Sequence, residues 1–247
     1  LFHHLQIWTT MKLSTIRRVL LLLVTLACGL HAPAQTPADQ RLGELLNGGD
    51  LFRLREEYPQ LKDSLSIDML DLLARSQLGI AFNRPEEAAP ALDSLLLLHQ
   101  DALGAESTLS MAALRAMNLL NLGMYAQAGA AAGDLVRVLE KSLPFESYFG
   151  LVFIERIGKA LSDVPAPRLE RPDRTVTVPM RYGEVGRGHH LYIPVEVNGQ
   201  RRDFIFDTGC PFGCFVSEGY AEEVGLRIVA DSIPVSGMTV GFVKLAT

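Results

Sequence analysis

The sequence is poor in cysteine, in tryptophan and in long apolar runs. Its 247 residues include three cysteines and one tryptophan, and only 7% are aromatic. Three cysteines are too few for a disulfide-rich scaffold, and no cysteine and histidine cluster has the spacing of a zinc site. The apolar run at residues 19–30 has twelve residues, whereas a membrane-spanning helix needs about 20. We therefore expect no metal, no cofactor and no integral membrane span.

Basic residues are also in the minority. The chain has 23 lysines and arginines against 28 aspartates and glutamates, a formal net charge of −5. Without Lys12, Arg17 and Arg18, which lie in the leader discussed next, the net charge falls to −8. An acidic protein repels phosphate backbones, so nucleic acid is not an expected partner.

The first 34 residues are typical of an export signal that follows a start at Met11. Basic residues precede the apolar run, and Ala32-Pro33-Ala34 fits the small-residue rule for signal peptidase. We therefore expect cleavage after Ala34 and a periplasmic or secreted protein. Lipidation at Cys28 is the weaker alternative, because Thr25 occupies the position where a lipobox has leucine.

Cleavage after Ala34 leaves Cys210 and Cys214 in an oxidising compartment, where disulfides persist. The three residues between them allow a small bridged loop. Two small buried side chains are the equally weighted alternative.

Residues 35–163 have the apolar spacing of α-helices. Asp50 is suited to cap a helix that begins at Leu51 and ends near Tyr58, before Pro59. Further helices are expected from apolar stripes and from turn signals: Ile67, Leu70, Leu73, Ala74 and Leu78; Ala88, Ala91, Leu92 and Leu95; a segment from Ser107 to a stop at Gly123; and its partner, residues 125–138.

A weak internal repeat with an offset of 40 residues runs through this region. It aligns Ala88 with Ala128, Ala91 with Ala131 and Leu95 with Leu135. Paired helices at such a period resemble tetratricopeptide-type hairpins, whose usual period is about 34. A plain bundle with alanine-rich contacts is the alternative.

The prolines of residues 164–173 indicate a linker, and the period then changes from helical to two. Strands are expected at residues 175–178, 191–197, with one buried face, and 202–206. Asn198-Gly199 between the last two is the strongest short hairpin signal. The expected fold class is α+β: a helical-hairpin region at 35–163, then a β lobe at 174–247.

The third strand leads directly into Asp207-Thr208-Gly209. Aspartic peptidases activate water between two carboxylates that share one proton, so each aspartate must be held rigidly where a peptide reaches it. A strand end supplies the rigidity, a hydroxyl bonds across to the partner lobe, and glycine admits a close backbone N–H. An ordinary strand-ending turn is the alternative meaning of the tripeptide.

Residues from about 191 to 226 resemble the N-terminal part of retropepsin-like bacterial aspartic peptidases, relatives of gag-polyprotein proteases. The resemblance rests on Phe204-Ile205-Phe206-Asp207-Thr208-Gly209, on a short strand expected at 215–217, and on Ala221-Glu222-Glu223-Val224-Gly225-Leu226. It implies an incomplete acid-protease lobe in which Asp207 is the catalytic carboxylate, Thr208 the inter-lobe hydroxyl and Gly209 the close-approach residue. It also implies a substrate-covering flap that begins at residues 235–241.

The sequence contains no second Asp-Thr-Gly, and we expect Asp231-Ser232-Ile233 to be a loop. The resemblance therefore implies an exported aspartic endopeptidase that acts on peptides or proteins. Its second aspartate would come from an identical subunit or from C-terminal sequence, with this chain an inactive fragment. The alternative function is a helical protein-binding adaptor whose β lobe is a non-catalytic dimerisation or docking module.

Overall fold

The computed structural model describes residues 35–168, 170, 172–185, 188–208, 214–236 and 240–247. Helices occupy the N-terminal part and small antiparallel sheets follow, so the α+β prediction is confirmed at that level. The chain divides into two compact units between Ala166 and Pro167, a point within the predicted linker at 164–173.

The helical unit is a succession of helices joined by short turns. In chain order they are α1 (Pro37–Gly48), α2 (Leu51–Leu61), a 3₁₀ turn (Lys62–Ser64), α3 (Asp68–Ala81), α4 (Pro85–Leu98), α5 (Gln100–Asn121), α6 (Tyr125–Leu139) and α7 (Phe145–Ala160). Neighbours in sequence pack against one another from α3 to α7. The predicted stripe on α4 is confirmed, since Ala88, Ala91, Leu92 and Leu95 are all fully buried.

Two of the predicted helix boundaries are wrong. Pro59 lies inside α2, which continues to Leu61. The proline removes only the hydrogen bond of its own missing N–H, and the residues after it keep their N–H groups. α5 begins at Gln100 rather than at Ser107, and its helical geometry is interrupted at Gly104, where φ is 73°. Asp50 caps α2 as predicted, accepting a hydrogen bond from the Arg53 N–H.

The 40-residue offset recurs in the helices themselves. α3 and α5 end at Ala81 and Asn121, and α4 and α6 begin at Pro85 and Tyr125. The connecting turns also match, with positive φ at Asn83 (51°) and at Gly123 (71°). The repeat therefore describes helix pairs with equivalent turns, whereas the tetratricopeptide resemblance stays a prediction.

A buried carboxylate joins the start of α1 to the segment before α3. Asp39 forms a capping box with Thr36 and accepts hydrogen bonds from the Ser66 hydroxyl at 2.6 Å and from the N–H groups of Ser66 and Ile67 at 3.0 and 3.1 Å. Burial by itself raises the pKa of this carboxyl, but the hydrogen bonds from Ser66 and Thr36 together hold its pKa well below the ordinary value. Asp39 is therefore ionised, buried and satisfied in the folded protein.

Close helix contact in the second half depends on glycine. A Cβ added at Gly158 on α7 would lie 2.5 Å from the backbone nitrogen of Gly129 on α6, a distance that real side chains do not tolerate. The two helices therefore touch backbone to backbone at this point.

In its described residues, the β unit contains two antiparallel sheets and one short helix. Strands β1 (Arg181–Val185), β2 (Gly188–Val197) and β3 (Gln200–Ile205) form a three-stranded sheet in that order, and α8 (Glu218–Glu223) follows it. β4 (Ile228–Ser236) and β5 (Val240–Ala246) form a separate two-stranded sheet. Arg227 and Thr247 exchange both backbone hydrogen bonds beyond it, at 2.8 and 2.9 Å.

Several β predictions need correction. Residues 175–178 and 215–217 are not strands, because the strand preference of threonine, valine and phenylalanine is realised only beside a pairing partner. Asp231-Ser232-Ile233 is not a loop but an irregular part of β4, where the pairing with β5 shifts and Ser232 has a φ of 58°. On the expected buried face of β2, Leu191 is exposed and Ile193, Val195 and Val197 are only half-buried, since a three-stranded sheet has little core to cover them.

Without the Asp39 carboxylate, the helical unit should unfold more easily. We expect Asp39→Ala to lower its free energy of unfolding by about 2 to 4 kcal/mol, because several buried donors lose a charged acceptor. Since the folded pKa is depressed, this stabilisation is present above the unfolded pKa of about 3.9 and is lost as the pH falls through the folded value. Urea titrations followed by helical circular dichroism test this, with Asp63→Ala on the exposed 3₁₀ turn as control. Equal stability of the two variants would contradict it.

The glycine contact gives a matched pair of variants on one helix. We expect Gly158→Ala to destabilise the helical unit by about 2 kcal/mol, because the methyl group forces α6 and α7 apart. Gly150→Ala, where nothing lies within 4 Å of the added Cβ, should instead stabilise by about 0.5 kcal/mol through helix propensity. Thermal melts of both variants measure the difference, and a shift of the same sign in both would refute the contact.

Candidate functional site

Asp207 lies just beyond the end of β3, where the chain leaves the three-stranded sheet. The Phe206 N–H donates to the Leu191 carbonyl at 2.8 Å, one step past the last paired residue, Ile205. Asp207 and Thr208 follow and are exposed to solvent, whereas Gly209 lies outside the described residues. Two of the three predicted site residues are therefore together at a strand end.

The hairpin that leads to Asp207 turns at Asn198 and Gly199. Both residues have positive φ, 49° and 80°, as a two-residue turn that matches strand twist requires. The predicted hairpin is confirmed, and its register pairs Val197 with Gln200 and Tyr192 with Ile205.

The tip of this hairpin is attached to the end of α8. The Asn198 side-chain amide donates to the Val224 carbonyl at 2.8 Å, and Arg202 forms an ion pair with Glu223 at 2.6 Å. Nearer the site, the rings of Phe204 and Tyr220 meet edge to face with centroids 5.9 Å apart. The sequence contained no signal for these contacts beyond the helix pattern itself.

A second brace crosses the sheet from β1 to β3. The Arg181 guanidinium donates to one Asp203 carboxylate oxygen at 3.1 and 3.2 Å and stacks 4.5 Å from the centroid of the Tyr192 ring. The brace therefore connects all three strands: it meets β3 at Asp203, four residues before Asp207, and its Tyr192 pairs with Ile205, two residues before Asp207.

Apolar side chains on both sides of Asp207 are exposed. Ile205, Phe206 and Phe215 keep 50%, 47% and 49% of their surface in contact with solvent. Ile205 and Phe206 directly precede Asp207, and exposed apolar side chains beside a polar group are typical of surfaces that another chain or segment covers.

The remaining predicted features of the lobe have mixed outcomes. β4 and β5 pair as an antiparallel hairpin around residues 237–239, which lie outside the described residues, and this is the segment expected to begin a flap. Its role stays a prediction. Cys214 is exposed, and Cys210 lies outside the described residues, so the disulfide also stays a prediction.

In the part of the chain that the structure describes, no group of three or more histidines, cysteines, aspartates or glutamates is arranged to hold a metal ion. Over the same residues, no helix combines the length and the apolar character that a membrane crossing needs.

Comparison with known proteins finds no protein-family model, no curated protein and no solved structure that matches this chain. The case for a function therefore depends on the residues around Asp207 and on their chemistry.

The Asn198 contacts predict a graded pair of turn variants. Asn198→Gly keeps a residue that tolerates positive φ and loses only the hydrogen bond to Val224, so we expect a loss of about 1 kcal/mol. Asn198→Ala loses the bond and also strains the turn, so we expect about 2 kcal/mol. Amide hydrogen exchange over residues 188–206 measures both. If the two variants exchanged as slowly as the wild type, the turn would not control the hairpin.

Proposed function

We propose that Asp207 is one of the two catalytic carboxylates of an exported aspartic endopeptidase of the retropepsin-like type. The position of Asp207 supports this proposal. Asp207 is exposed to solvent and directly follows Phe206, whose N–H forms the last backbone hydrogen bond to β2. A carboxylate in that position is held by the sheet and is still accessible to a peptide.

In the proposed reaction, Asp207 and a second aspartate share one proton, because two carboxylates so close do not both ionise. The ionised partner accepts a proton from water as the water oxygen attacks the peptide carbonyl carbon. The protonated partner donates its proton to the carbonyl oxygen. Collapse of the tetrahedral intermediate returns a proton to the leaving nitrogen and breaks the C–N bond.

The second aspartate is proposed to come from an identical subunit or from sequence that follows Thr247. The exposed apolar groups around Asp207 support a covering lobe, since their burial would favour association by about 25 cal/mol per Å². In such an assembly the Thr208 hydroxyl would bond across to the partner lobe and the Gly209 N–H would approach the carboxylate.

The other parts of the proposal follow from the sequence. Residues 1–34 are proposed to direct export and to be removed after Ala34, with lipidation at Cys28 as the alternative. The helical region, with its tetratricopeptide-like repeat, would then act as a scaffold or docking unit in the periplasm or outside the cell.

The proposal predicts that the natural full-length protein cleaves an unfolded peptide at acidic to neutral pH and that a statine-containing inhibitor blocks it, because a statine hydroxyl mimics the tetrahedral intermediate. Asp207→Asn should lower kcat by about a thousandfold or more, since the amide cannot act as acid or base. Glu196→Gln, at an exposed position on the neighbouring strand β2, is the matched control and should keep activity, because Glu196 takes no part in the contacts that hold the end of β3. Proteolysis that persists unchanged in Asp207→Asn would rule the proposal out, as would a full-length protein that cleaves no peptide.

A further inference from the structure

A cleft in the helical unit carries three arginines. It lies between α2 and α4, above α3, and has a volume of about 530 Å³. Each helix contributes to its walls or floor: Arg55 comes from α2, Arg75 from α3, and Arg84 immediately precedes α4. One acidic residue, Glu87, also lines it. The cleft is therefore positive on a chain whose formal net charge is −5.

Arg55 is held in place without a carboxylate partner. Its guanidinium carbon lies 4.2 Å from the centroid of the Phe82 ring and 5.3 Å from that of Phe52, and the two rings meet edge to face. Among the described residues, no acidic group lies within ion-pair distance of it. Aromatic faces attract a guanidinium but leave its N–H edge available for hydrogen bonds.

Arg75 and Arg84 each have one acidic neighbour. The neighbour of Arg75 also bonds to another side chain, and the neighbour of Arg84 is exposed to solvent. Arg75 is 3.6 Å from Asp71, which also accepts a hydrogen bond from the Tyr58 hydroxyl at 2.5 Å. Arg84 forms an exposed pair with Glu87 at 3.1 Å, and exposed pairs of this kind are weak. An incoming carboxylate can therefore compete for both guanidinium groups.

Two prolines also line the cleft. Pro59 and Pro90 lie inside α2 and α4, and their rings are apolar and carry no N–H. Together with the nearby buried side chain of Leu78, they give the cleft an apolar part beside its arginines.

From this combination we propose that the cleft binds an acidic peptide segment. The arginines would pair with its carboxylates, and Pro59, Leu78 and Pro90 would contact its apolar side chains. A nucleic acid offers anions but no aliphatic side chains for the apolar part of the cleft, and the overall negative charge of the chain repels it. This inference is independent of the role of Asp207.

The test measures binding by fluorescence anisotropy on the full chain. The probe is a fluorescein-labelled eight-residue peptide with three consecutive glutamates between leucines, and its twin has glutamines in place of the glutamates. We expect the acidic peptide to bind more tightly than the twin. Added salt should weaken the binding of the acidic peptide, because the arginines that it pairs with are exposed to solvent.

Substitutions locate the binding. Arg55→Gln together with Arg84→Gln should weaken the binding of the acidic peptide by about tenfold or more, since two charged hydrogen-bonding partners are lost. Arg137→Gln, which removes an exposed arginine on α6 paired with Asp134, should leave binding unchanged. Circular dichroism melts establish that each variant is folded.

Four results would overturn the proposal. They are no binding of the acidic peptide, equal binding of the acidic and amide peptides, equal loss in the Arg137→Gln control, and tighter binding of an oligonucleotide of equal charge at the same arginines. The last result would assign the cleft to nucleic acid instead.

Discussion

The register of the β2–β3 hairpin is the constraint on which the account of the β unit depends. Asn198 and Gly199, both with positive φ, form the whole turn between the paired residues Val197 and Gln200. A slip of one residue would reverse which side chains lie on each face and would detach Phe206 from Leu191. The contacts with α8 and the Arg181–Asp203 brace act on the same strands. Strand β3 is therefore held by its pairing with β2, by α8 and by Arg181.

The helical unit is organised by a different constraint, the close approach of helix pairs. Its 40-residue offset preserves small buried residues at Ala88 and Ala128, both fully buried, and positive φ at both connecting turns. Between α2 and α4 lies the arginine-lined cleft. The two proposals therefore concern different units: peptide cleavage at Asp207 in the β unit and acidic-peptide binding at the cleft in the helical unit.

Much of the local structure could be predicted, because it depends on neighbouring residues. The stripe on α4, the cap at Asp50 and the Asn198-Gly199 turn all follow from spacing or from backbone preference. The predictions failed where distant partners decide the outcome. Residues 175–178 have strand composition, but among the described residues no strand pairs with them.

The candidate site divides in the same way. Asp207 at a strand end could be predicted from a short motif, because strand, turn and acid are contiguous in the chain. The brace from Arg181 and the anchoring of the hairpin to α8 join residues some 20 positions apart and left no pattern to detect. The cleft is harder still, since Arg55, Arg75 and Arg84 come from three segments and nothing in their spacing marks them as neighbours.

The most direct measurement of the central claim is the site at which an epoxide esterifies the natural full-length protein. Opening an epoxide needs a carboxylate to attack carbon and a nearby acid to protonate the leaving oxygen, which a pair of carboxylates sharing one proton supplies. The account predicts that mass spectrometry of the digested adduct locates the ester on Asp207. Modification at other carboxyl groups with Asp207 untouched would contradict it.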